Sequence, residues 1–80
     1  MHELSIAEEL LQIIIKKASQ LGIGKIEQIN LKIGEFSGIL PDALVFAFEM
    51  LSKDTITDGA RIETERSEGN ELQVLSFEGD

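Results

Sequence analysis

Apolar residues in the first quarter of the chain recur at three- and four-residue steps: Leu4, Ala7, Leu11, Ile14, Ala18 and Leu21, with Leu10 and Ile15 widening the stripe. That period puts them on one side of an α-helix, predicted here over residues 6–21. Ser5 followed three residues later by Glu8 is a capping-box pattern, in which each side chain can satisfy a backbone N–H of the other. Glu8 and Glu9 near the start and Lys16 and Lys17 near the end complement the helix dipole, and Gly22 suits the C-terminal cap.

The period then changes. In "KIEQINLKIGEF", Ile29, Leu31 and Ile33 alternate with Gln28, Asn30 and Lys32, as a half-buried strand requires, and Gly34 marks a bulge or the strand end. Pro41 suits the first position of a second helix, "PDALVFAFEMLSK", with Asp42 in its first turn. Leu44, Ala47, Phe48 and Leu51 form its stripe, but Val45, Phe46 and Met50 lie off it. Such a helix either has two buried sides or offers one to a partner; in a small domain two buried sides are expected. "TITDG" signals a turn. "ARIETER" reads as a strand with Ala60, Ile62 and Thr64 on one face. In "ELQVLSFE", Leu72 and Val74 share one face while Leu75 and Phe77 fall on the other, which predicts a bulge or cover on both sides. The short, glycine-bearing "SEGN" between these strands predicts an antiparallel hairpin. The order α-β-α-β-β describes an α+β fold of two layers, two helices packed on a three-stranded sheet.

Eighty residues make one small domain, 1–80, without disulfides, since cysteine is absent. That absence excludes thiolate zinc sites, iron–sulfur clusters and cysteine nucleophiles. Neither a signal peptide nor a membrane span is indicated, so a cytoplasmic location is expected. Fifteen acids against seven bases give a formal net charge of −8. Such a field repels nucleic acid and favours a cation or a basic partner, although acids also serve simply to keep a domain soluble.

Most catalytic templates fail on inventory, so no enzyme is expected. Histidine occurs once, at position 2, beside the amino end. Glu63 and Glu65 read as a solvated strand face, and "GIGK" lacks the length and hydroxyl of a phosphate loop. A start of Met1-His2 nevertheless joins a terminal amine, an amide nitrogen and an imidazole in sequence. Amine and amide close a five-membered chelate ring; amide and imidazole Nδ1 close a six-membered one. A fourth donor from Glu3, either its backbone nitrogen or its carboxylate, completes a plane. Nickel(II) and copper(II) favour square-planar, nitrogen-rich sites, whereas zinc prefers a tetrahedron. With unperturbed pKa values of about 6.5 for imidazole and about 7.7–8.0 for the amine, such a site releases metal below neutral pH.

The stretches "MHELSIAEELL", "INLKIGEFSGILPDALVFAFEMLSK", "TITDGARIE" and "GNELQVLSFE" resemble, in order, the HypA/HybF family of hydrogenase nickel-incorporation proteins. The resemblance covers nearly the whole chain, residues 66–69 being the chief exception. It implies a nickel metallochaperone that helps deliver Ni(II) into [NiFe]-hydrogenase large-subunit precursors, and in some bacteria supports urease maturation. Its nickel site falls on Met1, His2 and Glu3. It further implies a HypB-type GTPase partner docking near the first helix, which gives Glu8, Glu9 and Gln12 a partner-facing role. Family members carry a zinc domain with two CxxC motifs between the last two strands. Here "SEG", residues 67–69, stands in its place, so no zinc is expected in this chain and recognition of the hydrogenase precursor is put in question.

Two rival readings differ in class. One is an interaction module that docks the GTPase through the first helix, or works through the apolar second one, without a competent metal site. The other is a hydrolase using Glu35 or Asp42, for which no companion base is available.

Overall fold

The computed structural model describes residues 3–80. Its elements are α1 (Glu3–Gln20), β1 (Ile26–Gly34), α2 (Pro41–Leu51), β2 (Arg61–Ser67) and β3 (Leu72–Gly79). Together they form the expected α+β arrangement, with both helices on one face of a three-stranded mixed sheet.

α1 buries Ala7, Leu11, Ile14 and Ala18, the centre of the predicted stripe, while its ends, Leu4 and Leu21, stay exposed. The described helix begins at Glu3, so Ser5 and Glu8 lie within its opening turns and not at an N-cap. The far end behaves as the glycine implied. Gly22 has φ +75, the Gly22 amide donates to Ser19 O at 3.1 Å, and the Ile23 amide donates to Ala18 O at 2.9 Å. This is a Schellman stop, and it needs a left-handed residue that only glycine supplies without strain.

The sheet order is β2-β1-β3, with β1 parallel to β2 and antiparallel to β3. The expected hairpin between β2 and β3 is therefore wrong: β1 lies between them. β1 takes the centre because it is the strand with the strongest apolar face, with Ile26, Ile29, Leu31 and Ile33 all fully enclosed. A central strand needs its partners on both edges, and the short 67–71 connection does not prevent this. Crossing two strand spacings requires about 9.5 Å, and four extended residues reach about 13 Å. α2 supplies the crossover that a parallel β1–β2 pair demands.

Two irregularities keep the apolar residues in phase. Opposite β3, the register shifts between Asn30↔Ser76 and Leu31↔Val74, which leaves Leu75 as an extra, exposed residue. Val74 and Phe77, three apart, can then both pack on the core. The irregular pattern of the last strand is thus a bulge. A second shift, between Ile26 and Gln28, lets Ile26 and Ile29 share a side. The opposite face of the sheet is polar: Arg61, Gln28 and Glu78 form one row, Glu63, Asn30 and Ser76 the next, and Glu65, Lys32 and Gln73 the third. Asn30 Nδ2 donates to Ser76 Oγ at 2.9 Å across it. Glu63 and Glu65 are exposed there on an edge strand, where charge discourages pairing with another sheet.

α2 buries only one side. Leu44, Ala47 and Phe48 are enclosed, but Phe46 is 63% and Met50 51% exposed, which corrects the expectation of two buried sides. The sheet and α1 fill one flank of α2, and among the described residues nothing covers the other. The turn that follows is held by hydroxyls. Thr57, buried, donates from Oγ1 to Ser52 Oγ at 2.8 Å, and Thr55 Oγ1 donates to Ser52 O at 2.7 Å.

Candidate functional site

Met1 and His2, two of the three residues singled out for metal binding, lie outside the described residues. The third, Glu3, opens α1 and is half-buried. Its carboxylate Oε2 accepts the backbone N–H of Leu40 at 3.1 Å. Leu40 is the N-cap of α2, with φ −88 and ψ 115, and its side chain has no oxygen with which to cap. Pro41 follows in the first turn, then exposed Asp42. The start of α1 is thereby joined to the start of α2, and two acids, Glu3 and Asp42, lie at the positive end of the α2 dipole. Leu4 (52% exposed) and Leu40 (67%), each belonging to or adjoining this linked pair, give the junction apolar neighbours.

Among the described residues no cluster of three or more histidine, cysteine, aspartate or glutamate side chains could hold a metal ion. The acids of the open sheet face and the α2 turn therefore form no second candidate. Glu35 and Asp42 are both exposed, the former just beyond β1 and the latter on α2. "GIGK" is the α1 stop and its exit turn, with Lys25 Nζ donating to Asp58 O at 2.6 Å. The residues of the proposed partner face are all exposed on α1: Glu8, Glu9 and Gln12. Glu9 and Gln12 line a shallow depression together with Ile13 and Lys16.

At the opposite end of the sheet, the 67–71 connection is laid over the exit of β1. The Gly34 amide donates to Glu71 O at 2.8 Å, Glu35 to Ser67 O at 2.9 Å, and Phe36 to Gly69 O at 3.0 Å. The carboxylate of half-buried Glu71 is held below the usual glutamate range, first by its own backbone amide and then by the Ser67 hydroxyl. That hydroxyl is enclosed, and among the described residues it makes no hydrogen bond of good geometry.

Sequence reasoning missed Leu40. The signal was present: Pro41 at a helix start makes residue 40 the N-cap, and neither Leu40 nor Ala43 offers a side-chain acceptor. The acceptor for the Leu40 amide had to come from elsewhere in the chain.

The family described as hydrogenase/urease nickel incorporation, metallochaperone, hypA, matches residues 1–74. The chain belongs to the HypA family. It is similar to the hydrogenase maturation factor HypA of Dehalococcoides mccartyi, 48% identical over 66 residues, covering 82% of this chain and 56% of that protein. The HypA of Roseiflexus sp. is 42% identical over 65 residues, covering 81% and 53%. The chain thus spans about half the length of these HypA relatives. The fold matches the solution structure of the Ni metallochaperone HypA from Helicobacter pylori with a TM-score of 0.88 at 21% identity, covering 99% of this chain and 97% of that one. The family is one described by nickel incorporation into hydrogenase and urease. No described helix is long and apolar enough to cross a membrane.

Proposed function

We propose that this HypA-family domain carries Ni(II) as cargo on Met1, His2 and Glu3, and hands it on during maturation of [NiFe]-hydrogenase, or of urease, without catalytic turnover. The observation that carries the reading is the family match that begins at Met1 and includes the chain's sole imidazole. The donors are the Met1 amine, the His2 imidazole and the intervening amide nitrogen. Each amide that ligates loses its proton to solvent, and amine and imidazole must be neutral, so uptake strengthens as pH rises through about 6.5–8. A site at the edge of the fold leaves the metal open to ligand exchange, as delivery demands.

The partner in this reading is a HypB-type GTPase meeting α1 at Glu8, Glu9 and Gln12, in the cytoplasm. The hydrogenase large-subunit precursor receives the metal. Supporting the α1 assignment are the depression at Glu9 and Gln12 and the 61% exposure of Ile13 beside them. The zinc domain of the family has its counterpart position at residues 67–69; with no cysteine here, zinc is not part of the proposal.

Titration of Ni(II) into protein with an unextended Met1 tests this. A d–d absorption band of a planar site is expected, lost in His2→Ala and lost again when a residue is added before Met1. Equal nickel uptake by wild type and His2→Ala would refute the cargo site. If neither binds nickel while the GTPase still docks on α1, the domain is a docking module.

A further inference from the structure

The side of α1 around Ile13 carries a charge pattern that a second copy of the chain can satisfy. Ile13 is 61% exposed, more than any other large apolar residue of α1. Glu9 lies four positions before it and Lys16 three after, so all three share one side of the helix. With Gln12 they line a shallow depression. Lys17, exposed beside Lys16, completes the only adjacent pair of bases in the chain. Glu9, Lys16 and Lys17 are one acid and two bases, so this strip carries +1 in a chain whose net charge is −8. Two such acidic copies therefore repel each other least when they meet here.

Antiparallel pairing makes the strip self-complementary. A two-fold axis passing beside Ile13 sets the two Ile13 side chains against each other and brings each Glu9 opposite Lys16 of the second copy. Parallel pairing would oppose like charges, Glu9 to Glu9 and Lys16 to Lys16. We propose that α1 is the interface of a weak antiparallel homodimer, centred on Ile13 and oriented by two Glu9–Lys16 pairs between the copies. The contact is isologous and closes after two copies. α1 has 18 residues and is about 27 Å long, so one side of it covers less than the roughly 1,200–2,000 Å² of a stable complex. The dimer is accordingly transient, with Ile13 as its apolar centre and the charged rim selecting orientation more than affinity. The proposal is independent of the nickel reading. Because it uses Glu9 and covers Gln12, a second copy and the GTPase proposed above exclude each other from this side of α1.

Sedimentation velocity of the metal-free chain over a wide concentration range, at low and high salt, tests this. Wild type should pass from monomer to dimer as concentration rises, and less so at high salt. Glu9→Lys and Lys16→Glu should each weaken association by about tenfold, because two attractive pairs become repulsive. Glu9→Lys also makes the chain less negative, so general charge repulsion alone predicts the opposite result for that variant. The double variant Glu9→Lys/Lys16→Glu should dimerise nearly as well as wild type, and the two single variants mixed should associate better than either alone. Both positions are exposed, so all variants should keep the wild-type circular dichroism spectrum. Wild type supplies a second measurement that needs no substitution: on dilution, the NMR signals of Glu9, Ile13 and Lys16 should move, and those of exposed Phe46 and Met50 should not. A wild-type monomer at every concentration, no recovery in the double variant, or dilution shifts confined to Phe46 and Met50 would each overturn the proposal.

Discussion

The carbonyl of Gly69 occupies the place where a Cβ on Gly34 would stand, and the Glu71 nitrogen is only 2.9 Å from that point. Gly34 is therefore required for room and not for an unusual backbone angle. It lets the 67–71 connection lie flat on the end of β1 and accept the three amides of Gly34, Glu35 and Phe36. In Gly34→Ala the added methyl meets backbone atoms, which cannot rotate away. A loss of about 1–3 kcal/mol is expected, the usual range for overpacking, with accelerated exchange of the Phe36 amide. Denaturant unfolding with an unchanged m-value, together with exchange at Phe36, checks both parts.

Phe48 and Phe46, two positions apart on α2, should respond in opposite ways. Phe48 is wholly enclosed between α1 and the sheet. Phe48→Ala removes a full aromatic ring from a small core and should cost about 3–5 kcal/mol. Phe46→Gln alters an exposed position and should stay within about 0.5 kcal/mol. Parallel urea titrations of the two variants separate them, and a large loss in Phe46→Gln would contradict the burial described here.

The turn after α2 rests on a buried hydroxyl. Thr57→Val keeps shape but deprives Ser52 Oγ of its donor inside a closed space. A loss of about 1–3 kcal/mol is expected. Thr57→Ser keeps the hydroxyl and gives up one methyl, about 0.8 kcal/mol. The order wild type, Ser, Val in thermal melts is the check.

Acid should loosen the 67–71 connection. The Glu71 carboxylate sits below its ordinary value of 4.5 because its own amide, and next the Ser67 hydroxyl, favour the charged form; Lys32 adds a smaller pull in the same direction. A depressed folded-state pKa means stabilisation that is fully present above pH 4.5 and disappears as pH falls through the lower, folded value. Exchange at Phe36, corrected for intrinsic rates, should therefore rise relative to distant core amides as pH is lowered below 4.5. In Glu71→Gln that relative rise should vanish.

The residues differ in how far their roles could be read from local order. The α1 stripe and its Gly22 stop, the alternation of Ile29, Leu31 and Ile33, Pro41 at the head of α2 and the bulge in the last strand were all legible. Each is a matter of period or backbone geometry within a few consecutive residues. The His2 chelate is a proposal of the same local kind, built from adjacent atoms along the chain, and it lies outside the described residues.

What only the tertiary structure decided are the relations between segments. A short glycine-bearing loop is compatible both with a hairpin and with a step over a third strand. The choice went to β1 in the centre because its apolar face gains most from partners on both edges. Phe46 and Phe48 are the same residue type on one helix, and only the packing of α1 and the sheet against a single flank of α2 made one core and the other surface. The Leu40 amide needed an acceptor that α2 did not contain, and Glu3 became it because α1 and α2 start side by side. Sequence sets which groups require partners; folding, by bringing distant stretches within hydrogen-bond range, selects which partners they receive.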